Sequence, residues 1–174
     1  MLNSSKIYII GFMGSGKTTT GMKLAALLGW SFTDLDKYLE ENTGMTIPDI
    51  FSVRGETYFR EAESEALKSL RPLTNSVIST GGGTPCYADN MDYMLETGLT
   101  IYLKLTPGQL KSRLSGTGGE RPLIKDLGDA DLLNFIREKL ALREKWYSRA
   151  ELTVKGFNAD IRSIYSQVFS KLNT

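Results

Sequence analysis

Gly11-Phe12-Met13-Gly14-Ser15-Gly16-Lys17-Thr18 constrains this chain more than any other stretch, because it matches G-x-x-x-x-G-K-[ST] at every position. An apolar run, Ile7–Ile10, leads into it, and a helical pattern over Lys17–Leu28 follows and stops at Gly29. In that context the glycines let backbone N–H groups turn inward, toward phosphate at a helix N-terminus. Gly14, Ser15, Gly16, Lys17, Thr18 and Thr19 are the candidate nucleotide-binding residues. Lys17 would reach β/γ oxygens and is a candidate catalytic group, while the Thr18 hydroxyl would ligate Mg²⁺. The loop fixes the nucleotide but not the reaction, since GTPases, ATPases and small-molecule kinases share it.

Strand-like and helix-like segments alternate along the rest of the chain. Trp30–Asp36 reads as a second strand and Lys37–Thr43 as a short helix closed by Gly44. Glu56–Leu70 carries Phe59, Ala62, Ala66, Leu67 and Leu70 at helical spacing. Ser76–Thr80 is a third strand, Ala88–Glu96 a helix and Leu99–Leu105 a fourth strand, with Thr106-Pro107 capping the next helix. Asp131–Arg149 reads as helix, Leu152–Val154 as a short strand, and Asn158 as the cap of a last amphipathic helix. The pattern predicts one three-layer α/β/α domain over residues 1–174, built on a five-stranded parallel sheet. Residues 116–129 break it with four glycines and little periodicity, as a mobile lid would.

Composition removes several chemistries. With 41% apolar and 24% charged residues the chain can bury a core, and it has no histidine. A Ser-His-Asp triad, a His-ligated zinc and an imidazole base are thereby excluded. Cys86 is the only cysteine, so neither an intrachain disulfide nor a multi-Cys metal site can form. Twenty-one basic against 20 acidic residues give a formal charge of +1, which does not suggest nucleic acid as a partner. The opening Met-Leu-Asn-Ser-Ser-Lys lacks the apolar core of a secretion signal, and no apolar run approaches membrane-spanning length. A cytoplasmic monomer with no membrane partner is expected.

The acceptor side has its own candidates. Asp34-Leu35-Asp36 ends the second predicted strand, where residues two apart share a face, so both carboxylates would project from one side of the sheet edge. Asp34 suits the Mg²⁺ side and Asp36 an acceptor hydroxyl. Arg60 lies beside buried positions, with Glu63 at i+3 to hold it, and would offer a planar fork to a carboxylate. Gly81-Gly82-Gly83, directly after a strand, would expose backbone donors. Arg121-Pro122-Leu123 lies inside the glycine-rich segment, and Arg143 on a later helix.

Taken in order and spacing, these motifs resemble the shikimate kinase family over nearly the whole chain. The resemblance implies a nucleoside-monophosphate-kinase-like fold and transfer of the γ-phosphoryl of Mg-ATP to the 3-hydroxyl of shikimate, within aromatic amino-acid biosynthesis. It implies that Asp36 binds the ring hydroxyls, that Arg60, Arg143 and the Gly82 backbone hold the substrate, and that Gly81 and Gly83 are substrate residues beside Gly82. Arg60 and Arg143 face the carboxylate, with Phe51 and Phe59 as the apolar wall. Arg121 becomes a catalytic lid residue on the ATP phosphates, Thr18 and Asp34 the metal pair, and the acceptor segment spans about 36–63. Relatives carry an arginine just before the last helix, lining the adenine pocket; here that stretch is Gly156-Phe157-Asn158-Ala159-Asp160, and Arg113 is the candidate to stack on the base instead. A gluconate kinase and a nucleotide-binding regulator stay open as alternatives.

The lid reading has a direct test. Amide hydrogen exchange over residues 116–129 should be faster than in the sheet and should slow on adding ATP. Exchange as slow as the sheet's, and indifferent to ATP, would rule the lid out.

Overall fold

The computed structural model describes residues 6–115, 124, 126–156 and 158–173. Its centre is β1 (Lys6–Ile10), buried at every position, as a strand covered on both faces must be. Side chains alternate across it. Ile7 and Ile9 pack with Leu24, Ala25, Ile164 and Val168 on one face, while Tyr8 and Ile10 pack with Leu39, Ile50, Phe59, Met94 and Tyr147 on the other. These two apolar clusters are the sandwich's two helix–sheet interfaces.

The chain runs β1, α1 (Lys17–Leu28), β2 (Ser31–Asp34), α2 (Leu35–Thr43), α3 (Ile47–Ser69), β3 (Ser76–Ser79), α4 (Asn90–Thr97), β4 (Leu99–Lys104), α5 (Pro107–Leu114), α6 (Asp129–Tyr147), β5 (Leu152–Lys155) and α7 (Ile161–Leu172). All strand pairs are parallel, in the order β2-β3-β1-β4-β5. The predicted five-stranded α/β/α sheet is therefore present. Since β1 lies between β3 and β4, the turn leaving it opens at the point where strand order reverses, the ligand-binding crevice of open parallel sheets. A third apolar cluster, with Phe12, Leu110, Leu114, Leu132 and Ile136, packs α5 and α6 under that turn.

Several boundaries differ from the sequence reading, each for a local reason. The second strand stops at Asp34, whose carboxylate caps α2 by accepting from the N–H groups of Asp36 (3.1 Å) and Lys37 (3.3 Å). Asp36 thus sits in a helix's first turn, and the expectation that both carboxylates share one strand face is corrected. The third helix begins at Ile47 behind a Thr46 cap, not at Glu56; Gly55 (φ 85°, ψ 172°) breaks it internally. A 3₁₀ turn, Thr84–Cys86, precedes α4, which starts at Asn90 rather than Ala88. The last helix is capped by Asp160, accepting from Arg162 N at 3.1 Å, and not by Asn158. Thr106 and Gln109 form the capping box the Thr-Pro pair announced. Arg121 and most of the expected lid segment lie outside the described residues.

Candidate active site

Beyond β1 the chain reverses through Gly11 (φ 148°), Gly14 (φ 78°) and Gly16 (φ 91°), backbone shapes that L-residues rarely adopt. Gly11 also needs its missing side chain, since a Cβ there would lie 2.9 Å from Leu103 O. Gly16 stands at the N-cap of α1 without a capping side chain, and no acidic residue lies in the first turn. The helix therefore presents its first N–H groups, and the positive end of its dipole, to whatever the loop encloses. Lys17, almost fully buried, lies back over the loop and donates to Gly11 O and Phe12 O, both at 2.9 Å. Thr18 Oγ1 donates to Asp34 Oδ2 at 2.7 Å, so the hydroxyl and the carboxylate meet across the α1–β2 boundary.

A cleft of about 580 Å³ opens from this loop toward α2, α3 and α6. It gathers Gly14, Gly16, Lys17, Thr18, Thr19, Asp34, Asp36, Phe51, Phe59, Arg60, Gly81, Gly82, Gly83, Arg113 and Arg143, nearly all of the residues singled out from sequence. Ser15 instead lines a second cavity of about 350 Å³, on the α1–α7 side of the loop, with Thr20, Lys23, Asn158, Ala159 and Asp160. Arg113 lines both cavities, its guanidinium lying against Gly16.

The far end of the cleft is built on one buried carboxylate. Glu63, 1% exposed, accepts from Arg60 NH1 at 2.9 Å on one oxygen and from Thr84 Oγ1 at 2.6 Å on the other. A buried anion has to be paired in this way, and the pairing holds the Arg60 guanidinium at its angle, stacked by the Phe59 ring (5.1 Å). Phe59 in turn touches Phe51, ring centres 4.6 Å apart. Arg143 reaches in from α6 over the Phe12 ring (5.4 Å), and its NH1 is buried with no hydrogen-bond partner among the described residues. An orphaned charged donor at a cleft wall is the mark of a site that expects an acceptor.

The glycine triplet lies between these groups, and its glycines serve for close approach. A Cβ on Gly83 would fall 2.5 Å from the Arg60 nitrogens, one on Gly81 2.4 Å from Glu63 Oε1, and one on Gly82 3.2 Å from Met13 N. Tyr147, buried at the end of α6, donates its hydroxyl to Gly82 O. Asp36 faces the same space. Burial, then the nearby Glu63 and Asp34 carboxylates, push its pKa up to about 6 against the opposing pull of Lys17.

A family model for shikimate kinase matches residues 13–173. A shikimate kinase of Phocaeicola vulgatus is 40% identical over 97% of this chain and 99% of its own length. The chain belongs to the shikimate kinase family. Among solved structures, shikimate kinase from Bacteroides thetaiotaomicron superposes with a TM-score of 0.89 at 36% identity, over 98% of this chain and 99% of that one. Shikimate kinase from Acinetobacter baumannii, in complex with shikimate, does so with 0.87 at 32% identity, over 98% and 93%.

For a shikimate kinase cleft, the sequence reading left out Met13, Glu40, Ile47, Pro48, Ser79 and Thr80, all on the wall. It also omitted Thr84 and Tyr147, which act behind the wall. No local signal marks the last two: one follows a glycine run, and the other is an aromatic on a helix face, as core residues are. Cys86, half-buried between Arg60 and Arg143, has its thiol pushed up to about 11 by burial and stays protonated at neutral pH.

The raised Asp36 pKa is also a statement about stability. A carboxyl that binds protons more tightly when folded stabilises the chain fully below its unfolded pKa of 3.8, and that contribution is lost as pH rises through about 6. Asp36→Asn should therefore be more stable than the parent at pH 7.5, by about 3 kcal/mol, and no more stable near pH 4. Urea unfolding at the two pH values measures this; equal stability at both would mean that Asp36 carries no electrostatic burden.

Proposed function

We propose that this chain transfers the γ-phosphoryl group of Mg-ATP to the 3-hydroxyl of shikimate, giving shikimate 3-phosphate and ADP, through the residues gathered in the main cleft. The observation that carries the reading is the composition of that cleft, with the phosphate loop at one end and Asp36, Arg60 and Arg143 at the other. Shikimate is a small carboxylate with three ring hydroxyls. It calls for a cationic fork, an oxygen that accepts hydroxyl protons, and backbone donors, and the far end offers each. Arg60 and Arg143 take the carboxylate, Asp36 and the Gly82 backbone the hydroxyls, and Phe51 with Phe59 the apolar ring edge. The second cavity, with Arg113 at its border, receives the adenosine portion. Arg121 as a contact to the ATP phosphates rests on the sequence resemblance.

Among the described residues no group of three or more His, Cys, Asp or Glu side chains could hold a metal. That fits Mg²⁺ bound mainly by phosphate oxygens and water, with Thr18 and Asp34, already in contact, as the protein's share. When bound, the ion supplies charge neutralisation on the phosphates. The protein supplies position and field. Phosphate oxygens compete with Gly11 O and Phe12 O for Lys17, and the α1 N-terminus faces them. At neutral pH Asp36 is mostly ionised, accepts the hydrogen of the acceptor hydroxyl, and takes that proton as the new O–P bond forms and the bond to the β–γ bridging oxygen breaks. As pH is lowered through about 6, Asp36 protonates and kcat/KM for shikimate falls with it.

One sheet carries both ends of the cleft, which supports reading residues 1–174 as one kinase domain and a monomer as the working unit. No helix among the described residues is long and apolar enough to cross a membrane. Dependence on ATP favours the cytoplasm.

A coupled ADP-release assay with shikimate, gluconate and AMP tests the acceptor. Steady release with shikimate alone is the expected result; release with gluconate or AMP instead would sink the reading, and no turnover with any would favour a regulator. Within that assay Arg60→Lys should raise the KM for shikimate by about 2–3 kcal/mol, because an ammonium has no planar fork. The KM for ATP should stay at the parent value. A loss confined to ATP would reverse the assignment of the two ends of the cleft.

A further inference from the structure

We propose that Tyr147 is a positioning residue of the acceptor site, its hydroxyl locking the middle glycine of the Gly81–Gly83 turn in place. The proposal deepens the shikimate reading and rests on it. Three glycines in a row have more backbone freedom than any other tripeptide, so a turn that must present an N–H at a fixed angle needs outside restraint. Two of its carbonyls are restrained by the turn's own backbone, Gly81 O by Thr84 N (3.2 Å) and Gly83 O by Cys86 N (3.0 Å). Gly82 O is different: its partner is a side chain on a remote helix, the Tyr147 hydroxyl, 65 positions along the chain. Because a trans peptide sets C=O and N–H on opposite sides, holding that carbonyl sets where the Gly83 N–H aims and restrains ψ of Gly82, the residue whose backbone is assigned to the hydroxyls.

The tyrosine is itself held. It is fully buried, and its ring packs on that of Tyr102 with centres 5.0 Å apart. Glu144 on α6 pairs with Lys104 on β4, which fastens the two elements beside the lock, and it also accepts from the Tyr102 hydroxyl at 2.8 Å. Burial raises the Tyr147 hydroxyl's pKa far above neutrality, so it remains a donor. Arg143 lies four residues earlier on the same helix face, with NH1 3.3 Å from where a Gly82 Cβ would be. One rigid helix thus delivers a guanidinium and a backbone lock to the same glycine, at a spacing the helix repeat sets.

Tyr147→Phe keeps the ring and removes the lock. Tyr102→Phe is the control, since it removes a hydrogen bond from the same aromatic pair without touching Gly82. Titration calorimetry with shikimate and with ATP, steady-state kinetics and Tm should be measured for both variants and the parent. Tyr147→Phe should raise Kd and KM for shikimate about 3- to 10-fold, as expected for one lost hydrogen bond. ATP binding should be unchanged, and Tyr102→Phe should keep parental shikimate constants even where its Tm falls as far. Parental shikimate affinity in Tyr147→Phe, or the same loss in both variants, overturns the lock. A parent that does not bind shikimate at all overturns the functional reading and the lock together, which tells the two failures apart.

Discussion

The buried Glu63 carboxylate is the interaction on which the far end of the cleft depends. A charge taken out of water costs several kcal/mol unless its lone pairs are occupied, and Glu63 occupies both oxygens with groups the site needs. One is the Arg60 guanidinium, which loses much of its rotational freedom in the process. The other is Thr84, first residue of the turn that follows the glycines. A single side chain therefore fixes a cation and a backbone segment relative to each other. The same negative charge is felt by Asp36, so the group that orders the cleft also makes it electrostatically tense.

That tension is distributed along the sheet edge. Asp34 is shielded by its hydrogen bonds to Thr18 and to the first N–H groups of α2, whereas Asp36 faces the cleft with Lys17 as its opposing charge. Arg143 adds one buried nitrogen, NH1, with no hydrogen-bond partner among the described residues. The cleft thus holds a carboxylate whose charge is costly to keep and a buried donor nitrogen. On the proposed function, a substrate with hydroxyls and a carboxylate would relieve both.

Much of this was legible in the sequence because its motifs are short and their geometry is local. The phosphate loop follows from glycine conformations within eight residues, and the Arg60–Glu63 pair from helix spacing. Asp34-Leu35-Asp36 was misread because polar–apolar–polar alternation over three residues fits a strand end and a helix N-cap equally well. What decides between them is the carboxylate turning back to the N–H of Asp36 and Lys37. The first half of α3 went unread as helix, and Gly55, non-helical at φ 85°, separates it from the Glu56–Leu70 pattern for one residue only. The glycine triplet was recognised, but through backbone exposure. Its tighter requirement comes from Arg60, Glu63 and Met13, which reach it from distant positions. Tyr147 was invisible for the same reason: its bond to Gly82 joins residues 65 positions apart.

The posture of Lys17 bears on how quickly the nucleotide end can be used. Its ammonium is already tied to two carbonyls of the loop that it will serve, so the loop is closed and internally solvated before any phosphate arrives. On the proposed function, phosphate binding would then be an exchange of partners on one nitrogen, with little ordering of the loop and little freezing of a long side chain. The entropy of assembling the cradle is spent during folding, and each catalytic cycle starts from a scaffold that does not have to be rebuilt.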